Sequence, residues 1–308
     1  MSYQKIGLFR TGALGDVILT LPVIQNLQQA FPLAHIDIIG NPKILSLTQT
    51  NNLQIHDINR ALWAPLFAPN TQISPDITHL FQNTDLVISY LPDPDQALSQ
   101  NLHRLGVTQI ETCPPRPTQI IHAIDHLLSP LHNRNIPTPI IQPHIPLTQN
   151  ALPHLPFQGS GPPTLLIHPG SGGKNKCWSP NHFANTADTL IRQTGCQVCL
   201  SSGPADGPLA EEVSHLMTEN ATLLPQLPLR QFASFMATCN AYLGNDSGPT
   251  HLSAALGLPT VALFGPTNPH IWSPRGPKVH IVASPDTHIN NISPTYVIKT
   301  LTPFLSQS

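Results

Sequence analysis

The fold is decided by residues 5–22, which read Lys5-Ile-Gly-Leu-Phe-Arg-Thr-Gly-Ala-Leu-Gly-Asp-Val-Ile-Leu-Thr-Leu-Pro22. The apolar run at residues 6–10 predicts a buried strand, and residues 16–30 have the length and pattern of a helix. Gly12 and Gly15 lie between them and predict a tight turn from strand to helix. A strand, a glycine turn and a helix in this order begin a βαβ unit, which builds a parallel sheet.

The same alternation continues through both halves of the chain and predicts an α/β protein. The other predicted strands are residues 36–40, 85–91, 164–168, 197–201, 241–244 and 260–264. The other predicted helices are residues 118–128, 182–193, 208–217, 229–238, 248–256 and 294–305.

A proline-rich stretch at residues 130–163 predicts a linker between the two halves. We therefore expect two domains, residues 1–150 and 160–308, with a ligand cleft between them. The last helix is expected in the second domain or packed back on the first.

Composition restricts the classes of function. Only 10% of the 308 residues are Asp, Glu, Lys or Arg, against about 25% in a typical soluble domain. With 14 Lys and Arg and a net charge of −2, the chain lacks the broad basic face that nucleic acid requires, so we expect no nucleic-acid partner. No stretch approaches the roughly 18 apolar residues of a membrane span. The apolar residues 17–24 follow Asp16 directly, which favours a buried helix over a signal peptide.

The five cysteines have no disulfide-framework spacing and fit a reducing compartment. Cys196 and Cys199 form a C-x-x-C motif in a predicted strand, whose alternation turns them to opposite faces. We therefore expect core cysteines rather than a redox or metal site. Carboxylate and histidine spacings typical of metal sites are missing, as is a serine-hydrolase motif, so neither chemistry is expected.

The first candidate loop comprises Thr11, Gly12, Ala13 and Gly15 and is followed by Asp16. Glycine turns at a helix start suit anions, because free N–H groups point out of the helix there. Asp16 opposes this interpretation, since its negative charge repels a phosphate. The alternative is that Asp16 only caps the helix.

The second candidate loop reads His168-Pro-Gly-Ser-Gly-Gly-Lys-Asn-Lys-Cys-Trp178 and follows a predicted strand. Its glycines, among them Gly172, and Ser171 can present hydrogen-bond donors to an anion, and its two lysines add positive charge. The spacing is not that of a P-loop. The alternative is a solvated loop followed by Trp178 in the core.

The third candidate loop reads Gly244-Asn-Asp-Ser-Gly-Pro-Thr-His251. It places Asp246, Ser247 and Gly248 at the start of a predicted helix, whose free N–H groups can receive a diphosphate. The alternative is a helix cap beside a buried His251. Another glycine–proline loop, at residues 264–269, follows the next strand, and ligands collect at such strand ends.

Taken in order, these segments resemble the glycosyltransferase family 9 heptosyltransferases, which build the inner core of bacterial lipopolysaccharide. The resembling segments are residues 5–22 with their G-x-x-G-D loop, Leu166-Ile-His-Pro-Gly-Ser171 with Lys176-Cys-Trp178, Asp246-Ser-Gly-Pro-Thr-His251, and Phe264-Gly-Pro-Thr267. The resemblance spans residues 5 to about 275. It implies a GT-B architecture, with two Rossmann-like domains whose parallel sheets face each other across a cleft. It also implies that the first domain takes the acceptor and the second takes the nucleotide sugar.

The resemblance further implies a metal-independent, inverting transfer of heptose from ADP-heptose to a lipopolysaccharide core acceptor, without a cofactor. By motif position, Asp16 is the general base and Lys176 is the diphosphate ligand. The implied donor contacts are Ser171, Gly172, Leu227 at the adenine, Asp246, Ser247, Gly248 and His251. The chemistry of the residues agrees, because a carboxylate can deprotonate the attacking hydroxyl and a lysine can stabilise the departing ADP.

Two alternatives stay open. One is a family 9 transferase that uses another nucleotide sugar or acceptor, and the other is a non-catalytic module that binds nucleotide sugars. A solute receptor is disfavoured, since such a protein needs an export signal. We expect a cytoplasmic protein that also makes peripheral contact with the inner face of the inner membrane.

Overall fold

The computed structural model describes residues 2–48, 52–147, 161–204 and 206–306. The chain divides into two compact units, Met1–Ile141 and Gln142–Ser308. Ile145 is buried, and its N–H donates to the carbonyl oxygen of Ala255 at 3.1 Å. This segment therefore belongs to the second unit, although the expected first domain extended to residue 150. Residues 148–160 of the expected linker lie outside the described residues.

The first unit is built on a parallel five-stranded sheet in the order β3-β2-β1-β4-β5. Its strands are β1 (Lys5–Arg10), β2 (His35–Gly40), β3 (Leu53–Asp57), β4 (Leu86–Ser89) and β5 (Gln109–Thr112). Its helices are α1 (Leu14–Ala30), α2 (Pro42–Leu45), α3 (Pro75–Phe81), α4 (Ala97–Arg104) and α5 (Ala123–Asn133). The chain leaves β1 toward β2 on one side and returns to β4 on the other. Ligands of open α/β sheets bind at such a switch point, outside the carboxyl ends of the strands.

The second unit is built on a parallel six-stranded sheet in the order β11-β10-β9-β6-β7-β8. Its strands are β6 (Thr164–His168), β7 (Gln197–Leu200), β8 (Thr222–Leu223), β9 (Ala241–Asn245), β10 (Thr260–Phe264) and β11 (Val279–Ala283). Its helices are α6 (Pro180–Thr194), α7 (Leu209–Leu216), α8 (Leu229–Met236), α9 (Gly248–Ala255), α10 (Pro269–Trp272) and α11 (Pro294–Leu305). The switch point of this sheet lies between β6 and β9.

The helix predicted at residues 118–128 is wrong by about one turn, since α5 runs from Ala123 to Asn133. Pro130 lies inside α5, although proline usually ends a helix because it has no N–H to donate. The carbonyl oxygen of His126, which a residue at position 130 would normally bind, accepts instead from the Ser129 hydroxyl at 2.7 Å. This side-chain bond removes part of the cost of the proline, so residues 130–133 are helical and not part of a linker.

The last helix, α11, packs within the second unit. Val297, Leu301 and Leu305 are fully buried in the same core as residues of α6 and β9. All five cysteines are free; Cys196 and Cys199 are buried, and only Cys196 belongs to this core. Across the residues that the structure describes, no helix combines the length and the hydropathy needed to cross a membrane.

Candidate functional site

In the loop after β1, the side chain of Asp16 folds back toward Gly12 and Ala13, which precede it in the turn. Oδ2 of Asp16 accepts the N–H of Ala13 at 2.9 Å, so the side chain caps the start of α1. Gly12 has a φ of +120°, and a methyl group added there would lie 2.6 Å from Oδ2 of Asp16. Glycine is therefore required at position 12 for two reasons: the φ is unfavourable for other residues, and any side chain would clash with the Asp16 carboxylate.

Arg10, the last residue of β1, lies directly beneath this loop. Its guanidinium donates to the main-chain oxygen of Asp16 from Nη2 at 2.9 Å and from Nε at 3.3 Å. The same Nη2 lies 3.6 Å from Oδ1 of Asp16, and the guanidinium also lies over the ring of Tyr90 at 5.7 Å. Burial lowers the pKa of Arg10, whereas the nearby Asp16 raises it. The arginine thus fixes the backbone of the loop while its charge stays close to the carboxylate.

The other predicted residues of this loop are accessible to a ligand. Gly12 and Ala13 are exposed, and Thr11 and Gly15 are half-buried. The side chain of Asp16 is 27% exposed, so one carboxylate can cap α1 and still meet solvent. The structure brings all five residues together at the switch point of the first sheet.

In the second unit, two of the predicted loops meet at Asp246. Nζ of Lys176 donates to Oδ2 of Asp246 at 2.8 Å, and the Ser171 hydroxyl donates to the Asp246 carbonyl oxygen at 2.7 Å. His251 lies on the other side, with Nε2 at 4.0 Å from Oδ1 of Asp246. Asp246 and His251 are both buried. Three of the predicted donor contacts, Ser171, Asp246 and His251, therefore lie in one cluster with Lys176.

The two loops are also joined by Asn245, which the sequence analysis did not single out. Asn245 is fully buried; its Nδ2 donates to the carbonyl oxygen of Pro169 at 2.8 Å, and its Oδ1 accepts the N–H of Trp178 at 3.0 Å. Strand pairing brings His168 opposite Gly244, so both loops leave the sheet side by side. A polar residue at the end of the apolar strand β9 was the signal that could have identified it.

Ser247 and Gly248 lie where α9 begins. The Ser247 hydroxyl is 3.1 Å from Oγ1 of Thr250 and caps no N–H group of the helix. Pro249 has no N–H, so the donors left for a ligand in the first turn of α9 are the N–H groups of Gly248 and Thr250, at the positive end of the helix dipole.

Gly172 and Leu227 lie apart from the Asp246 cluster. Gly172 is exposed, and no atom lies within 4 Å of the position that a methyl group would take on it. Leu227 is half-buried in another loop, directly before Pro228 at the start of α8. Their predicted contacts with a donor stay predictions.

A third polar cluster, unnoticed in the sequence, lies beneath the glycine loop and consists of His168, Ser201 and Asp206. The signal for it was a further glycine–proline loop, Gly203-Pro-Ala-Asp206, at the end of a predicted strand. As for metals, the described residues contain no group of three or more His, Cys, Asp or Glu side chains that could hold an ion.

A family model described as glycosyltransferase family 9 (heptosyltransferase) matches residues 114–299. Lipooligosaccharide heptosyltransferase 2 of Haemophilus influenzae is 33% identical over 126 residues, which are 39% of this chain and 36% of that protein. The matched segments of the first four curated relatives span only 36 to 45% of the lengths of those proteins.

Solved structures match over almost the whole chain. A family 9 glycosyltransferase from Veillonella parvula has a TM-score of 0.80 at 22% identity and covers 99% of this chain and 98% of its own. The ADP-heptose lipopolysaccharide heptosyltransferase II of Escherichia coli has a TM-score of 0.77 at 20% identity, with 98% of each chain covered. At these identities the likeness concerns the fold, and it confirms the expected GT-B class with its parallel sheets.

Proposed function

The chain belongs to glycosyltransferase family 9, and from this premise we propose that it is an inverting, metal-independent glycosyltransferase. The proposed reaction moves heptose from ADP-heptose to an inner-core acceptor of lipopolysaccharide. Heptosyltransferases among the relatives and the matching structures support the class of reaction. The observation that carries the proposal is the cluster of Lys176, Ser171 and Asp246 beside the start of α9, a cradle for an anion at the switch point of the second sheet.

The proposed donor site is this cluster. Negative charge develops on the β-phosphate of ADP as the bond to the sugar breaks, and positive groups that are already in place stabilise it. Lys176 supplies an ammonium group, which Asp246 holds in one place while 32% of the lysine side chain stays exposed. The N–H of Gly248 at the start of α9 adds one backbone donor. These groups would do the work that a metal ion does in other transferases.

The proposed general base is Asp16. Inversion in one step needs a base that takes the proton of the attacking hydroxyl as the new bond forms. Oδ2 of Asp16 is held by the Ala13 N–H, and Arg10 fixes the main chain of the same residue. A carboxylate fixed in this way and still open to solvent suits proton abstraction. We therefore assign the acceptor to the first unit.

The location follows from the proposed acceptor. A lipopolysaccharide core precursor is a glycolipid, so we propose that the protein acts in the cytoplasm and meets the inner face of the inner membrane transiently. The alternative within the family, another nucleotide sugar or acceptor, uses the same groups and is decided by ligand binding. A non-catalytic module would bind the nucleotide sugar but would release no ADP with any acceptor.

A thermal-shift panel tests the donor assignment. ADP should raise the melting temperature more than UDP, GDP or CMP, and the shift should persist in EDTA. At about 100 times its dissociation constant a ligand adds about 2.7 kcal/mol, which gives a shift that is easily measured. Equal shifts for all nucleotides, or loss of the ADP shift in EDTA, would contradict the proposal.

A further inference from the structure

His168, Ser201 and Asp206 form a buried cluster beneath the glycine loop of the second unit. Nε2 of His168 lies 3.1 Å from Oδ2 of Asp206, and Nδ1 lies 3.0 Å from the Ser201 hydroxyl. The side chains of His168 and Asp206 are only 4% and 7% exposed. Both nitrogens of the histidine are therefore engaged, and the carboxylate is nearly removed from water.

Asp206 packs directly against the backbone of two loops. It accepts the N–H of Gly203 on one side. On the other side, a methyl group added to Gly170 would lie 2.1 Å from Cγ of Asp206 and 2.2 Å from its Oδ1. Burial raises the pKa of Asp206, but the hydrogen bond and charge of His168 and the Gly203 N–H outweigh burial and lower it. An ionised carboxylate thus lies against the first glycine of the loop.

The glycine loop needs such support because its own sequence gives it little. Gly170, Gly172 and Gly173 lose more backbone entropy on ordering than other residues. Ser171 holds the far side of the loop through the carbonyl oxygen of Asp246. The near side rests on Asp206, which His168 holds in turn.

We propose that His168 and Asp206 are positioning residues that fix residues 169–176 in the shape that presents Ser171 and Lys176 to the donor. The term donor rests on the proposed function, whereas the fixed shape of the loop does not. A buried polar contact such as that of His168 with Asp206 costs desolvation and often adds no net stability. Its contribution here is a single loop conformation, in which Lys176 reaches Asp246.

Asp206→Ala and Asp188→Ala form a matched pair of variants. Asp188 is another buried carboxylate of the second unit and accepts the N–H groups of Thr218 and Glu219 and the Thr218 hydroxyl. Both variants lose a network of hydrogen bonds, but only one lies beneath the glycine loop. Asp206→Asn, which keeps the shape and loses the charge, should fall between Asp206→Ala and wild type.

The first readout is amide hydrogen exchange of residues 170–176 in the ligand-free protein. Exchange should accelerate about tenfold or more in Asp206→Ala, because the loop opens locally, and change less than about twofold in Asp188→Ala. The second readout is the ADP dissociation constant, which should rise about tenfold or more in Asp206→Ala and stay near the wild-type value in Asp188→Ala. Unchanged loop exchange in Asp206→Ala, or equal acceleration in Asp188→Ala, would overturn the proposal.

A double-mutant cycle with Gly170→Ala tests the contact itself. Gly170 does not have a positive φ, so its φ does not exclude alanine, and the three atoms nearest to an added methyl group all belong to Asp206. Gly170→Ala should lower the melting temperature of the wild type by several degrees, and by less than about a third of that in the Asp206→Ala background. Additive effects would show that the two residues are not coupled and would overturn the proposal. If the wild type binds no ADP, the proposed function fails, while loop exchange and this cycle still decide the positioning role.

Discussion

The two sheets place the same kind of charge pair at their switch points, but with opposite exposure. In the first unit the cation is buried and the carboxylate is open, since Arg10 is 2% exposed and Asp16 is 27% exposed. In the second unit the carboxylate is buried and the cation is open, since Asp246 is 9% exposed and Lys176 is 32% exposed. The open member of each pair is the one that a ligand can reach. One sheet end therefore suits removal of a proton, and the other suits an anion.

The distances within the two pairs agree with this division. Lys176 binds the carboxylate of Asp246 directly at 2.8 Å, so this carboxylate serves to hold the lysine. Arg10 binds mainly the main-chain oxygen of Asp16 and lies 3.6 Å from its carboxylate. The Asp16 carboxylate is thus oriented without being fully engaged, as a general base requires.

The largest effect is expected from Asp16→Asn. If the open carboxylate is the base, kcat should fall by about 10²–10⁴-fold, while the dissociation constant of ADP stays near the wild-type value. Asparagine keeps an oxygen that can accept the Ala13 N–H, so the melting temperature should change little. The measurement is kcat with donor and acceptor beside a melting curve. A normal kcat would mean that Asp16 is only a helix cap.

The next effect concerns the open cation. Lys176→Ala should weaken ADP binding and lower turnover by about 10–100-fold, because a charged hydrogen bond to the diphosphate is lost. Lys174→Ala is the matched control, since this exposed lysine lies two residues away on the same short 3₁₀ turn. It should change both quantities less than about threefold. If Lys174→Ala has the larger effect, the charge that binds the anion has been assigned to the wrong residue.

A smaller effect is expected from replacing a loop glycine by alanine, and it should differ between Gly12 of the first unit and Gly172 of the second. In Gly12→Ala the new side chain would have an unfavourable φ of +120° and would clash with the Asp16 carboxylate. The carboxylate should therefore shift, so kcat should fall about tenfold and the melting temperature should also fall. In Gly172→Ala the new methyl group would have no atom within 4 Å, so the melting temperature should stay within about 1 °C of the wild type. Melting curves and kcat for both variants check this. Equal melting temperatures would contradict the difference between the loops.

The smallest effect is expected on the stability of the protein at low pH. It concerns Asp188, a carboxylate that is buried, whereas Asp16 is open to solvent. Burial raises the pKa of Asp188, but its bonds from Thr218 and Glu219 outweigh burial, so the pKa lies below its ordinary value of 3.8. A lowered pKa in the folded state gives stability that is present above the unfolded pKa and is lost as pH falls through the folded pKa. Between about pH 5 and pH 3, the melting temperature of Asp188→Asn should therefore fall by about 2–4 °C less than that of the wild type. Parallel curves for both proteins would contradict this.

The central strands were predictable from the sequence, and the edges were not. β1, β6 and β10 are buried along almost their whole length and read as continuous apolar runs. The edge strand β3 alternates apolar and polar residues, and β11 is buried only at Val282, so the chain carries a weak signal there. They were missed for this physical reason, and β5, the other edge of the first sheet, was missed in the same way.

The spatial relation between candidate residues was predictable when they lie in one loop. It was less predictable when they lie in loops that are distant in the sequence. Gly12 and Asp16 are four residues apart, so their relation to one turn follows from the sequence. The contact of Lys176 with Asp246 joins residues 70 positions apart and exists only because β6 and β9 are neighbours in the sheet. The contact of His168 with Asp206 was missed for the same reason, since nothing local to either residue indicates the other.

The most direct test of the division between the two sheet ends is calorimetric titration of ADP, in EDTA, into the wild type, Asp16→Asn and Lys176→Ala. We expect Asp16→Asn to bind ADP with the wild-type dissociation constant and Lys176→Ala to bind it about tenfold or more weakly. If Asp16→Asn weakens ADP as much as Lys176→Ala does, or if Lys176→Ala binds normally, the assignment of anion binding to the second unit and proton abstraction to the first is contradicted.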